Sequence, residues 1–264
     1  MSDERLKVAR DGRVLVLTID DPETRNATDM DLNHAGMEAV YDADTDAGVG
    51  AIVLRGAGGV FSSGGNLNKL KRRGEMSNAQ RRASVNTMNG WVKAMRLNSK
   101  PVIAAVEGFA AGAGLSIALG ADLVVAARDA RFVMAHIKVG LNPDGGASAL
   151  IGRGLPHQFL AEMLMTGSAV SAERMHALGL VNRVVEPGAA DDEAMTLARR
   201  LADGPAAALA RVKKLIEGAQ VNNLQAQLDL EADLVEAALD HAEAAEGISA
   251  FLEKRKPDFR RDKT

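Results

Sequence analysis

The sequence predicts an α/β fold with a helical C-terminal region, on the strength of three observations. Short apolar segments typical of strands alternate with helical segments over the first 190 residues, an order that indicates α/β architecture. After about Asp191 only helical patterns remain, with Leu224, Leu228, Val235 and Leu239 at helical spacing. With one Trp, one Tyr and six Phe, the core must be built mainly from aliphatic side chains and methionine.

Six segments predict strands, and helices are expected between them. The predicted strands are residues 13–20, 49–55, 100–106, 121–127, 132–139 and 180–185. Thr28 and Asp31 have the spacing of a capping box that opens the first helix. A polar helix is expected from about residue 69 to residue 95.

The composition of the 264 residues argues against several classes of function. A net charge of −3 and the lack of a basic run with interleaved aromatic residues argue against nucleic acid as a partner. Without cysteine, there is no disulfide, thiolate metal site or cysteine nucleophile, and we expect no metal site. Glu107 and Asp122 interrupt the most apolar stretch, residues 101–127, so we expect no membrane span. The charged start, MSDERLKVARDGR, does not resemble a signal peptide, and we expect a cytoplasmic protein.

Two glycine-rich loops each follow a predicted strand. They are FSSGGN, residues 61–66, and GFAAGAGLS, residues 108–116. Two backbone N–H groups that converge from such loops can form an oxyanion hole for an enolate or a tetrahedral intermediate. Alternatively, the small residues only allow helices and strands to pack closely. Neither loop has the order of a nucleotide-binding fingerprint.

Asp144 lies in the turn PDGGAS and His136 in the predicted strand FVMAHIKV. Asp144 can cap a helix after the proline turn, or it can be the base of an active site. Alternation along the predicted strand puts His136 on one face with Phe132, Met134 and Lys138. A histidine in that position is either a structural residue or part of a site.

Several motifs, taken in order, resemble the crotonase family of enoyl-CoA hydratases and isomerases, from about residue 8 to residue 259. They are FSSGGNL, KPVIAAVEGFAAGAGLSIALGADLVVAA, FVMAHIKVGLNPDGGAS, LGLVNRVV and ISAFLEKRKPDF. The resemblance implies a spiral of ββα units with a helical C-terminal region. It also implies an acyl-CoA substrate, with the thioester carbonyl held by the N–H groups of Gly65 and Ala113. Coenzyme A is then part of the substrate, and no separate cofactor is expected.

The same resemblance implies further contacts and an assembly. The residues expected near coenzyme A are Arg25, Gly64, Asn66 and Leu67, with Phe251 and Lys254 reaching the coenzyme A of a neighbouring subunit. The cations at residues 254–256 can instead be a solvated helix end. The predicted domains are a core of residues 1–195 and a trimerisation region of residues 196–264, in a homotrimer or a dimer of trimers.

The sequence departs from the hydratases of that family at two positions. Those enzymes add water with two glutamates, whose places are taken here by Ser116 and His136. The paired general acid and base is therefore missing. VGLNPDGG resembles the turn of isomerases that use a single aspartate, so Asp144 is the predicted base of a shift of a 3-enoyl-CoA to a 2-enoyl-CoA. His136 and Ser116 then shape or polarise the acyl pocket.

Two other functions stay open at this point. Ser116 and His136 beside an oxyanion hole can form a hydrolase of thioesters or ring-CoA compounds. A protein that has lost both glutamates can also bind acyl-CoA without turnover, because a fold does not fix the chemistry. GGNLNKL, VGLNPDGG and GISAFLEKR are similar to members assigned to ring-CoA steps of aromatic degradation, such as the phenylacetate-pathway isomerase and oxepin-CoA hydrolase of the alternative type.

Overall fold

A computed structural model describes residues 3–260 of the chain, apart from the side chain of Arg73, and statements below about residues 3–260 refer to this described part. Its largest sheet has six strands in the order β1–β2–β3–β4–β6–β9. β1 and β2 form an antiparallel hairpin, and every later pairing in this sheet is parallel. The strands are β1 Leu6–Asp11, β2 Val14–Ile19, β3 Ala51–Gly56, β4 Val102–Val106, β6 Leu123–Ala127 and β9 Arg183–Val185.

Three short strands form a second sheet in the order β5–β7–β8: β5 Phe109–Ala111, β7 Arg131–Val133 and β8 Ala169–Ser171. β5 directly follows β4, and β7 directly follows β6, so consecutive strands of one unit belong to different sheets. After β5 the chain enters a helix. This order, two strands and then a helix, is the predicted ββα unit.

Eleven α-helices lie within residues 3–260. They are α1 Met30–Thr45, α2 Leu67–Arg72, α3 Asn78–Leu97, α4 Ala113–Gly120, α5 Ala147–Gly152, α6 His157–Thr166, α7 Ala172–Ala177, α8 Ala190–Ala202, α9 Ala206–Ala219, α10 Leu224–Leu239 and α11 Ala242–Leu252. α1 and α3 cover one face of the six-stranded sheet and α8 covers the other. Because both faces are covered, the parallel strands are apolar on both sides.

Several elements of the structure differ from the prediction. The hairpin strand β1 was not predicted, because exposed charged side chains dilute its apolar pattern. The first helix is capped by the carboxylate of Asp29 and not by Thr28. The single helix predicted over residues 69–95 is divided, since the Ser77 side chain and Gln80 form a capping box that starts α3 anew.

The strand predicted over residues 132–139 is wrong beyond Val133. β7 pairs for only three residues on each side, and a 3-10 helix, Ala135–Val139, follows it. Gly140 ends that helix with a left-handed φ of 71°. His136 therefore lies on a helical turn, and the face assigned to it by strand alternation does not exist.

The C-terminal helices are tied to the core by a buried lysine on α9. Lys213 Nζ donates to the carbonyls of Met95 and Lys100, at 3.0 and 2.9 Å, and lies 2.6 Å from Asp122 Oδ2. The predicted boundary between residues 195 and 196 lies within α8, and the predicted domains also include residues 1–2 and 261–264, outside the described part of the chain. No helix in the described part is long and apolar enough to cross a membrane.

Candidate active site

The two glycine-rich loops lie directly against each other. Ser62 N donates to the Phe109 carbonyl at 2.9 Å, and Ala111 N donates to the Ser62 carbonyl at 3.0 Å. Gly64 has a φ of +98°, and a Cβ added to it would lie 2.7 Å from the Ala111 carbonyl oxygen. A side chain at residue 64 would therefore push the loops apart.

Each loop presents one backbone amide that is left free by the local geometry. Thr28 and Gly65 form a parallel β-bridge. Thr28 N donates to the Gly64 carbonyl, and Asn66 N donates to the Thr28 carbonyl. In this pattern the N–H of Gly65 itself points away from Thr28. Ala113 is the first residue of α4, whose first amides lack intrahelical acceptors. Within residues 3–260, neither amide donates a hydrogen bond.

Gly65 and Ala113, the residues that bear these amides, both line one cavity of about 630 Å³. Aliphatic and methionine side chains form much of the remaining wall. The named lining residues include Thr28, Asn33, Ser63, Gly65, Leu67, Leu70, Arg81, Ser84, Val85, Met88, Ala113, Ala135, His136, Val139, Leu141, Asn142 and Asp144. Among the described residues that line it, Asp144 is the single carboxylate. The cavity has the size and mixed lining of a small-molecule site.

Asp144 is positioned by its backbone and by one neighbouring side chain. Its carbonyl accepts from Ser116 Oγ at 2.8 Å and from Ala147 N at 3.3 Å. Its carboxylate does not cap α5, which starts after Gly146 without a side-chain cap. The side chain is 29% exposed and Oδ1 lies 3.3 Å from His136 Nε2. That contact lacks hydrogen-bond geometry, and Oδ1, which is buried, accepts no hydrogen bond from the described residues.

The His136 ring lies between Asp144 and the second glycine loop. It is 12% exposed, and its Nδ1 is 3.1 Å from Met134 Sδ. A Cβ added to Gly112 would lie 3.4 Å from His136 Cε1. The structure thus brings His136 and Asp144 together and puts both beside the start of α4.

Ser116 supports this arrangement from outside the cavity. It is fully buried in α4 and donates to the Asp144 carbonyl. Gly145 packs on it, since a Cβ added there would lie 2.6 Å from Ser116 Cβ. The serine hydroxyl therefore faces the backbone of the aspartate turn and not the His136 ring.

The residues predicted to contact coenzyme A are spread more widely. Leu67 lines the cavity, whereas Gly64 and Asn66 lie in the loop just behind it. Arg25 is exposed, with a left-handed φ of 55°, and its carbonyl accepts from Ser63 N at 2.9 Å. Phe251 and Lys254 lie at the exposed end of α11 and are not among the lining residues.

One polar cluster beside the cavity was missed from the sequence. Asp29, which is 3% exposed, accepts from Arg5 at 2.6 and 2.9 Å and lies 2.8 Å from Lys69 Nζ on α2. Burial alone would raise the pKa of Asp29, but hydrogen bonds from Arg5 and Lys69 hold it well below its usual range. The signal available in the sequence was an aspartate directly before the apolar start of α1. This cluster fixes α2, which lines the cavity through Leu67 and Leu70.

Comparisons with known proteins establish the family and the fold of the chain. The model of a family described as enoyl-CoA hydratase/isomerase matches residues 9–262. The chain belongs to that family. The predicted α/β crotonase-like spiral is confirmed by a crystal structure of an enoyl-CoA hydratase from Polaromonas sp. JS666, with a TM-score of 0.94 and 43% identity over 97% of this chain and 99% of that one.

Two relatives from Escherichia coli strain K12 bear different activities in their names. The chain is 38% identical to 1,2-epoxyphenylacetyl-CoA isomerase, over 93% of this chain and 94% of that protein. It is 34% identical to 2,3-dehydroadipyl-CoA hydratase, over 97% of this chain and 98% of that protein. The first match agrees with the predicted resemblance to isomerase-type members of the family. Both relatives support membership of the family. Because one is named an isomerase and the other a hydratase, they do not decide which reaction this chain catalyses.

Proposed function

We propose that the protein is an acyl-CoA double-bond isomerase that converts a 3-enoyl-CoA to a 2-enoyl-CoA with Asp144 as its base. One observation supports this most strongly. Asp144 is the single carboxylate among the described lining residues of a cavity that also contains the free amides of Gly65 and Ala113. One carboxylate suffices to move a proton between two carbons of the same substrate, whereas hydration by the usual route of the family requires two.

The reaction follows from these groups. The thioester oxygen accepts from Gly65 N–H and Ala113 N–H. Asp144 takes a proton from C2, the electrons of that C–H bond form a C1–C2 double bond, and the carbonyl π pair moves to the thioester oxygen. The resulting dienolate keeps the C3–C4 double bond. The carboxylic acid then returns the proton to C4. When C4 is protonated, the carbonyl re-forms, the C1–C2 pair becomes the C2–C3 double bond and the C3–C4 pair forms the new C–H bond. Donors aimed at the developing oxyanion supply several kcal/mol in such a step, and the positive end of the α4 dipole adds to them.

His136 and Ser116 act through Asp144 in this proposal. His136 Nε2, at 3.3 Å from Oδ1, limits the orientations that the carboxylate can adopt. Ser116 fixes the backbone of residue 144 through its hydrogen bond to the carbonyl. Both are positioning residues, and neither is required to form a bond to the substrate.

Coenzyme A is part of the proposed substrate, and no other cofactor is proposed. We propose that Arg25 and the loop of Gly64, Asn66 and Leu67 bind it. The exposed Phe251 and Lys254 would reach the coenzyme A of a neighbouring subunit. Apolar side chains exposed on α10 and α11, among them Leu228, Val235, Leu239, Ile248 and Leu252, are consistent with a trimer or a dimer of trimers.

A second candidate is the same proton transfer on a ring-CoA substrate. The 38% identity to 1,2-epoxyphenylacetyl-CoA isomerase favours it. The hydrolase hypothesis has less support, because the Ser116 hydroxyl is bonded to the Asp144 carbonyl and lies outside the cavity wall. Binding of acyl-CoA without turnover is the remaining alternative.

Incubation with a 3-enoyl-CoA, followed by two detectors, separates these functions. Ultraviolet absorbance reports the conjugated 2-enoyl thioester, and a thiol reagent reports free coenzyme A without a background, because the chain has no cysteine. We expect absorbance to rise without thiol. Release of thiol would contradict the proposal in favour of a hydrolase. Binding without either signal, on chain and ring substrates alike, would favour a protein that only binds.

A further inference from the structure

The cavity wall formed by α1 and α3 contains a buried amide without a partner. Asn33 is 4% exposed, lines the cavity, and its Oδ1 accepts no hydrogen bond from residues 3–260. Thr28 and Ser84, both nearly fully buried, line the same cavity. Leaving a buried polar atom unpaired is costly, and buried polar atoms in native proteins are almost always satisfied.

The packing of the two helices explains why Asn33 faces the cavity. α1 and α3 touch closely at Gly36, where an added Cβ would lie 2.3 Å from the Trp91 ring, and Asn98 Nδ2 donates to the Val40 carbonyl further along. On α1, Asn33 lies one helical turn before Gly36. On α3, Met88 lies one helical turn before Trp91. The seam is therefore tight from Gly36 onward and opens into the cavity at Asn33.

A second orphaned polar atom lies in the same seam. The indole Nε1 of Trp91 is buried and makes no hydrogen bond within residues 3–260. It is a donor only, whereas Asn33 Oδ1 is an acceptor. Val85 and Met88 provide apolar surface in the same cavity. Asn33 is among the lining residues and Trp91 is not, so a ligand in the cavity can meet the Asn33 side chain but not the indole.

We propose that the acyl group of the substrate bears a hydroxyl that hydrogen-bonds the side-chain amide of Asn33. The inference rests on the proposed function, because it takes the cavity as the acyl site. A hydroxyl both donates and accepts and so complements either orientation of the amide. A site built around such a bond discriminates against the analogue that lacks the hydroxyl, since the buried group is then left unpaired.

The test measures binding of saturated ligands, so it does not depend on turnover. Hexanoyl-, octanoyl- and decanoyl-CoA are each compared with their ω-hydroxy forms by calorimetry. We expect the hydroxy form to bind about tenfold more tightly than the plain form at one chain length or more, as one additional good hydrogen bond provides. Tighter binding of the plain form at every length would overturn the inference and indicate that water satisfies Asn33.

Two variants assign the effect to the residue. Asn33→Leu should remove the preference for the hydroxy form over the plain form at every chain length. Asn86→Leu makes the same chemical change on the exposed face of α3, outside the cavity lining, and should leave the preference intact. A preference that survives in Asn33→Leu would contradict the assignment. If the isomerase assay fails while the preference is found, the proposed reaction is wrong and the polar acyl site stands.

Discussion

The two walls of the cavity differ in how the chain specifies them. The amide wall, Gly64, Gly65 and Ala113, is built from backbone, and its geometry follows from a loop pressed against another loop and from a helix start. The carboxylate wall, His136 and Asp144, depends on two side chains that meet between a 3-10 helix and the turn after it. We therefore expect the amide wall to tolerate few substitutions, whereas different side chains in the carboxylate wall can give different reactions.

The difference suggests how one fold serves several reactions on one class of substrate. Stabilisation of a thioester enolate requires only the amide wall, which any member of the family can retain. The fate of the enolate depends on which acids and bases face it. In the proposed mechanism the carboxylate wall makes that choice, because Asp144 is its one carboxylate and His136 occupies a position where the family resemblance implies a hydratase glutamate.

Replacing the carboxylate should have the largest effect. In Asp144→Asn we expect kcat/KM on a 3-enoyl-CoA to fall by about 10²–10⁴-fold, the usual contribution of a positioned base. Calorimetric affinity for a saturated acyl-CoA should not change, because the amide wall is untouched. The matched control Asp233→Asn, on the exposed surface of α10, should retain full activity. An Asp144→Asn variant that keeps wild-type kcat/KM would remove the base from the mechanism.

Disturbing the amide wall should come next. Gly64→Ala forces a side chain into a left-handed φ and within 2.7 Å of a carbonyl oxygen, which we expect to cost about 2–4 kcal/mol of unfolding free energy. Gly59→Ala is the control, since its φ of +73° is similar but nothing lies within 4 Å of an added Cβ. Urea denaturation should therefore distinguish the two. Equal losses would mean that the contact between the loops contributes nothing.

Much of the amide wall could be predicted from the sequence, because glycine patterns after strands report on backbone geometry. The carboxylate wall could not be predicted in the same way. Val133, Ile137 and Val139 suit a strand as well as a short helix, so the 3-10 turn that presents His136 gave no signal. The contact of His136 with Asp144 depends on a loop whose path is set by tertiary packing. Resemblance to a family indicates both residues, whereas only the structure shows that they lie close together.

The same limit applies to Asn33 and to the cluster around Asp29. A helical pattern predicts which residues of α1 are buried but not what covers them. The residues that face Asn33 are more than fifty positions later in the chain, on α3. The partners of Asp29 come from before β1 and from α2. Local sequence carries little information about such distant contacts.

The Asp29 cluster should have an intermediate effect that depends on pH. Asp29→Asn keeps a helix cap but loses charged hydrogen bonds, so we expect a loss of about 1–3 kcal/mol at pH 7. Because the folded pKa of Asp29 is lowered, its stabilisation is present above the unfolded pKa, about 3.9, and is lost as the pH falls below it. The difference in unfolding free energy between wild type and Asp29→Asn should therefore become smaller from pH 5 to pH 2.5, as measured by chemical denaturation.

Asp31→Asn provides the control for that prediction. Asp31 is exposed and its ion pair with Lys69, at 3.3 Å, should contribute little. We expect this variant to lose no more than about 0.5 kcal/mol at pH 7. If the difference in unfolding free energy between wild type and Asp29→Asn instead grew on acidification, the lowered pKa of Asp29 would be contradicted.

Ser116→Ala should have the smallest effect. Loss of one hydrogen bond to the Asp144 carbonyl should cost about 1 kcal/mol of stability and reduce kcat several-fold with KM unchanged. Thr196→Ala removes a similar hydroxyl-to-carbonyl bond on α8, at 2.9 Å, and should not affect kcat. Complete loss of activity in Ser116→Ala would instead favour a serine nucleophile.

The most direct test of the account is proton transfer by Asp144 itself. Wild type and Asp144→Asn are incubated with 3-hexenoyl-CoA in deuterated water, and the thioesters are examined by proton NMR. We predict that the wild type yields 2-hexenoyl-CoA, with deuterium at C2 or C4 wherever the acid exchanges with solvent, and that Asp144→Asn yields neither product nor deuterium incorporation. Conversion or exchange by Asp144→Asn at the wild-type rate would contradict the claim that this carboxylate is the base.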